Sequence, residues 1–102
     1  MSKDTTHIYD WLELPANNDA EIKVKEVLDF RTRAAYYQMK NTPPPYKIFC
    51  EYKGQKYRIT GASRMGDVWL AEDFDREMGY DHRVAIDDCS NFSYEKIEDA
   101  RD

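Results

Sequence analysis

Between Tyr46 and Thr60, apolar and polar residues alternate with a period of two on both sides of Lys53-Gly54. Nothing else in the chain constrains its fold as much. Tyr46, Ile48, Cys50 and Tyr52 fall on one face of the first run. Lys47, Phe49 and Glu51 fall on the other. The return run, Gln55–Thr60, places Tyr57 and Ile59 on a single face. Two alternating runs joined by a tight turn with glycine predict a β-hairpin. The alternation continues beyond it. Asp67–Glu72 sets Val68 and Leu70 against Trp69 and Ala71, and His82–Asp87 sets Val84 and Ile86 on one face. Four strands with short links make an antiparallel meander, which needs at least one covered face.

The cover must come from the flanking segments. His7–Leu14 carries Ile8, Trp11, Leu12 and Leu14 and reads as one helical turn or an irregular strand, ended by Pro15. Asn17, Asn18 and Asp19 predict a turn. Ile22 and Val24 alternate with charges, so 21–26 is read as a short strand. A helix is placed at about 29–39, with Asp29 as its N-cap and the prolines at 43–45 as its end. Ser93 is expected to cap a last short helix over Tyr94–Arg101, and residues 1–7 are expected to fray. The expected fold is α+β, a single domain over 1–102. It holds a small antiparallel sheet of four to five strands with one or two short helices packed on it.

The order Y-x-G-x-x-Y-R-I, from Tyr52 to Ile59, resembles the hairpin of small SH3-like barrels. That resemblance implies the alternative architecture, a small barrel in which strand 21–26 closes the fifth position.

Charge is distributed unevenly along the chain. Residues 1–66 hold eight acidic and eleven basic residues, a net +3, and residues 67–102 hold twelve and four, a net −8. A packed core does not require such a split, so it points to a partner. The acidic end interleaves carboxylates with aromatics. Asp67, Trp69, Glu72, Asp73, Asp75, Glu77 and Asp81 are the candidate partner-binding residues, facing a basic surface on another protein. The expected function is that of a small, acidic, non-catalytic interaction protein. A sharper form is an inhibitor whose carboxylates mimic nucleic-acid phosphates and block a nucleic-acid-binding enzyme. Small acidic anti-host and anti-defence proteins of bacterial viruses look like this in size and charge. The competing reading is an accessory nucleic-acid-binding module on the hairpin region 46–64. There Lys47, Lys53, Lys56, Arg58 and Arg64 lie among tyrosines that can stack on bases.

Catalytic and metal chemistry find little support. Asp73, Asp75 and Glu77 match the first, third and fifth places of a calcium loop, but the sixth and twelfth hold Met78 and Val84 where Gly and Glu are needed. Glu72, Asp73 and Asp75 offer carboxylates without a specific acid–base signature. His7 and His82 have no sequence tie to Cys50 or Cys89. GASRMGD has Asp67 where a phosphate loop has Lys. The two cysteines are 39 apart, far from the paired spacing of a zinc site, and are read as reduced thiols with Cys50 in the strand core. No cofactor or metal is expected. The polar start MSKDTTHIYD has no secretory h-region, and no apolar run reaches the length of a membrane span. The expected location is the cytoplasm and the expected state a monomer or homodimer.

Overall fold

The structure is a computed structural model and describes residues 7–37 and 45–97. Two helices, α1 (Ile8–Glu13) and α2 (Asp19–Tyr37), precede five strands. These are β1 (Tyr46–Tyr52), β2 (Gln55–Ala62), β3 (Asp67–Ala71), β4 (His82–Ala85) and β5 (Ser90–Lys96). A 3₁₀ turn, Ile86–Asp88, joins the last two. All pairings are antiparallel, in the order β4-β3-β2-β1-β5, so the hairpin lies inside the sheet and β4 and β5 are its edges.

The hairpin forms as its alternation requires. Ile48 faces Ile59 and Cys50 faces Tyr57 across the ladder. Lys53 and Gly54 adopt φ of 53° and 78°, the left-handed pair that a two-residue turn matched to strand twist needs. The inner face carries Ile48, Cys50, Tyr57, Ile59, Val68 and Leu70. It buries them against Ile8 and Trp11 of α1 and Val24, Val27 and Leu28 of α2.

Three sequence expectations are corrected here. Residues 21–26 are not a strand but belong to α2, which starts at Asp19. The side chain of Asn18 accepts from the Glu21 amide, and the Glu21 carboxylate accepts from the Asn17 amide, so the asparagines launch a helix. Asp29 is therefore an interior helix residue, not a cap. Val24, Val27, Leu28 and Thr32 are buried, a helical period, while Ile22 is exposed. Ser93 caps no helix, because Ser90–Lys96 is the fifth strand, paired to β1 with Tyr94 opposite Ile48. Phe92 and Tyr94 lean on the core from this edge. Of the tail expected to fray at 1–7, only His7 lies among the described residues. Its Nδ1 accepts from the Tyr9 amide and caps α1. Residues 38–44 and 98–102, with parts of the expected helices, lie outside the described residues.

The sheet is not closed into a barrel, since β4 and β5 do not pair. It is nonetheless strongly curled. Laid flat, five strands would separate β4 from β5 by about 19 Å, four spacings of about 4.8 Å. The link between them is residues 86–89, most of it in the 3₁₀ turn, which advances only about 2 Å per residue. Such a link reaches the opposite edge only if the sheet bends. Register breaks between Phe49 and Glu51 and between Ile59 and Gly61 supply bending points. Ile86, buried in the core, fixes the crossing by donating its amide to the Gly66 carbonyl at 2.8 Å.

Candidate docking loop and adjoining cleft

Alternation sends Lys47, Phe49, Lys56, Arg58, Trp69 and Ala71 to the outer face of the sheet. That face is covered by the acidic segment 72–81. The loop is pinned along its length. Arg58, only 1% exposed, donates through Nη1 to the Phe74 carbonyl at 3.1 Å and reaches Glu77 through Nη2 at 3.5 Å. The Thr60 hydroxyl donates to the Gly79 carbonyl at 2.7 Å. The Asp81 amide donates to the Leu70 carbonyl, and the Asp81 carboxylate accepts from the Glu72 amide. Phe74 packs edge-on against Phe49, and Tyr80 stacks on Trp69. Lys56 Nζ lies 4.5 Å from the Phe49 ring centre and 5.3 Å from that of Phe74.

Folding brings the two oppositely charged parts of the chain together. Lys47 pairs with Asp75 at 2.9 Å, and Arg58 with Glu77. Within the acidic part, Asp67 pairs with Arg83, Asp81 with Arg76, and Glu72 meets His82 at 3.4 Å. Asp73 accepts the Asp75 amide through Oδ1, a local turn bond. The hydrogen bond and charge of Lys47 hold the Asp75 carboxyl below the usual carboxylate range. The Glu72 amide, with help from Arg76, does the same for Asp81. The split in sequence is thus bridged in space at two points. Yet Asp75 and Glu77 keep 85% and 66% of their side-chain surface in water, where solvent and salt screen them. Phe74, Met78 and Tyr80 are exposed between the acids.

Of the alternative basic set, Lys47, Lys56 and Arg58 lie on the outer face in contact with the loop. Lys53 sits on the hairpin turn with its Nζ 5.4 Å from the Tyr52 ring centre. Arg64 is in the β2–β3 connection, its carbonyl accepting from the Ile8 amide. His82 rests edge-on against Tyr57 on the inner face, and His7 serves the α1 cap. Cys50 is buried and Cys89 half-buried, both free thiols. A hydrogen bond with Cys89, and then burial, push the Cys50 thiol far up, so it stays protonated. Among the described residues no group of three or more His, Cys, Asp or Glu could hold a metal. No described helix is long and apolar enough to cross a membrane.

Beside the loop lies a feature that pattern reading did not register. Phe30 and Arg31 of α2, Gly61 and Ala62 of β2, Trp69 of β3 and Met78 of the loop line a cleft of about 460 Å³. Nη1 of Arg31 donates to the Thr60 carbonyl at 3.2 Å. Burial and the nearby Arg58 lower its pKa from the usual guanidinium value, and Glu77 opposes them. Gly61 gives the cleft its floor, because a Cβ there would lie 2.9 Å from Cε3 of Trp69. Gly61→Ala is therefore expected to displace the indole, at a cost of about 1–3 kcal/mol. A urea titration with near-ultraviolet circular dichroism tests it, and an unchanged tryptophan signal would show that the ring does not rest on Gly61.

Comparison of the chain with protein-family models, curated proteins and solved structures gave no match, so the site is interpreted from its own geometry.

Proposed function

We propose that this protein is a non-catalytic docking protein that meets a basic surface of a protein partner through loop 72–81. The supporting observation is the loop itself. It alternates exposed carboxylates with the exposed apolar side chains of Phe74, Met78 and Tyr80, while the buried Arg58 holds its backbone on the sheet. Asp67 and Trp69 on β3 extend the same face. Apolar anchors ringed by charge fit protein recognition, where aromatics and methionine are enriched. Asp75, engaged with Lys47, can exchange that exposed pair for a partner's lysine or arginine at little cost. Inhibition of a nucleic-acid-binding enzyme, by occupying its phosphate-binding surface, is the sharper form of this reading.

The test starts with affinity capture from native lysate and mass spectrometry of what is bound. The partner is then followed by surface plasmon resonance. Charges at an interface rim act chiefly on the association rate. Asp73 and Asp75 reversed to Lys are expected to slow association about tenfold or more while changing dissociation less, and the wild-type on-rate is expected to fall as salt rises. An on-rate indifferent to both salt and charge reversal would remove the loop as the docking site. Capture of nucleic acid through the set Lys47, Lys53, Lys56, Arg58 and Arg64 would favour the module reading instead.

A further inference from the structure

The cleft beside the loop has a composition that docking of a basic surface does not use. Its walls are apolar: Phe30, Ala62, Trp69 and Met78. Its volume of about 460 Å³ lies within the range of about 300–1,000 Å³ common for small-molecule sites. Its charge is unbalanced. Arg31 lines it without an ion pair among the described residues, while the lining carboxylate Glu77 pairs with Arg58, which is not part of the lining. Glu77 is paired with Arg58 and mostly in water, so it offsets the Arg31 charge only at a distance.

Unused donor capacity lies here too. Arg31 gives one hydrogen bond to the Thr60 carbonyl, which leaves most of its five-donor fork available. Apolar walls and an Arg31 guanidinium with no ion pair among the described residues complement a ligand with an apolar body and one anionic acceptor group. A carboxylate suits the planar fork in shape and charge. A dianionic phosphate would bring a second negative charge next to Glu77 with no second spare cation.

We propose that the cleft between α2 and loop 72–81 binds a small monocarboxylic acid with a compact apolar body, its carboxylate held by Arg31 and its body lying against Phe30, Trp69 and Met78. Met78, 81% exposed at the mouth, has an unbranched thioether that can fold over the bound body. This does not rest on the docking reading, since it needs neither a partner protein nor Asp73 and Asp75.

The experiment is an amide chemical-shift titration of the whole chain with naphthalene-2-carboxylate, set against the neutral naphthalene-2-methanol. The acid is expected to give saturable shifts centred on Gly61, Trp69, Met78 and Gly79. The alcohol is expected to bind about tenfold or more weakly, as the loss of a charge-assisted hydrogen bond implies. Arg31→Gln is expected to erase that preference, and Arg31→Lys to keep part of it. Met78→Glu alters an exposed side chain, so its folding is not at stake. It is expected to weaken the acid selectively by placing a carboxylate at the mouth. Equal binding of acid and alcohol, shifts centred elsewhere, absence of saturable shifts, or a preference that survives Arg31→Gln would each overturn the proposal.

Discussion

Arg58→Ala is expected to destabilise the protein by about 2–4 kcal/mol, and Arg58→Met by less than about 1 kcal/mol. Two effects compete at this position. Removing a guanidinium from water is expensive, and here one carbonyl and one mostly exposed carboxylate offset that cost while Nε finds no acceptor. The same side chain fills the space between Phe49, Phe74 and the loop, as its 1% exposure shows. Alanine gives up both the filling and the bond to the Phe74 carbonyl, leaving a cavity beneath the loop. Methionine restores most of the volume and removes the desolvation cost, a replacement that is often near neutral for a buried charge. Both variants lose the donors that pin the loop, so amides at 74–77 are expected to exchange faster in each. Urea titrations with hydrogen exchange separate the two effects. Equal destabilisation by Ala and Met would mean that the charge, not the packing, stabilises this face.

Ile48→Ala is expected to cost about 2–4 kcal/mol. Ile48 is 1% exposed and lies between Ile59 on β2 and Tyr94 on β5, so it joins three strands on the helix-covered face. A domain of this size has a total stability of about 5–15 kcal/mol, so this one change takes a large share of it. Ile22→Ala is the control. Ile22 lies on the exposed side of α2, and its replacement is expected to stay within about 0.5 kcal/mol. A denaturant titration in which Ile48→Ala also costs less than about 0.5 kcal/mol would place that side chain outside the core.

Local rules go far in parts of this chain and fail in others for identifiable reasons. The hairpin was readable because period-two alternation and the Lys53-Gly54 turn require the same register. The third and fourth strands followed from the same alternation. Residues 21–26 were misread because Ile22 and Val24 imitate a strand, and the asparagines before them imitate a turn. The spacing of Asn18 and Glu21, which fits a helix cap, was the signal that decides between them. The fifth strand had almost no local signal. Phe92 and Tyr94, two apart, suit a strand, while Tyr94 and Ile97, three apart, suit a helical turn, and what settles the matter is the free edge of β1, some forty residues earlier in the chain. Tertiary pairing overrides weak local preference there. At the outer face, the sequence separates acids from bases that folding brings together. The Lys47–Asp75 and Arg58–Glu77 pairs depend on a chain reversal that counting charges along the chain does not reveal. The cleft was hidden for a similar reason, since its walls come from a helix, two strands and a loop.

The short crossing from β4 to β5 has a mechanical consequence. Two edge strands on opposite sides of a sheet would ordinarily fray independently. Here residues 86–89 tie one edge to the other, and Ile86 holds the tie in the core. The curl cannot relax by spreading, because the tether is already short. It can open only by peeling β5 from β1 or by pulling Ile86 out of its seat. The two margins of the sheet therefore behave as one hinged clasp, and whatever loosens one shortens the lifetime of the other.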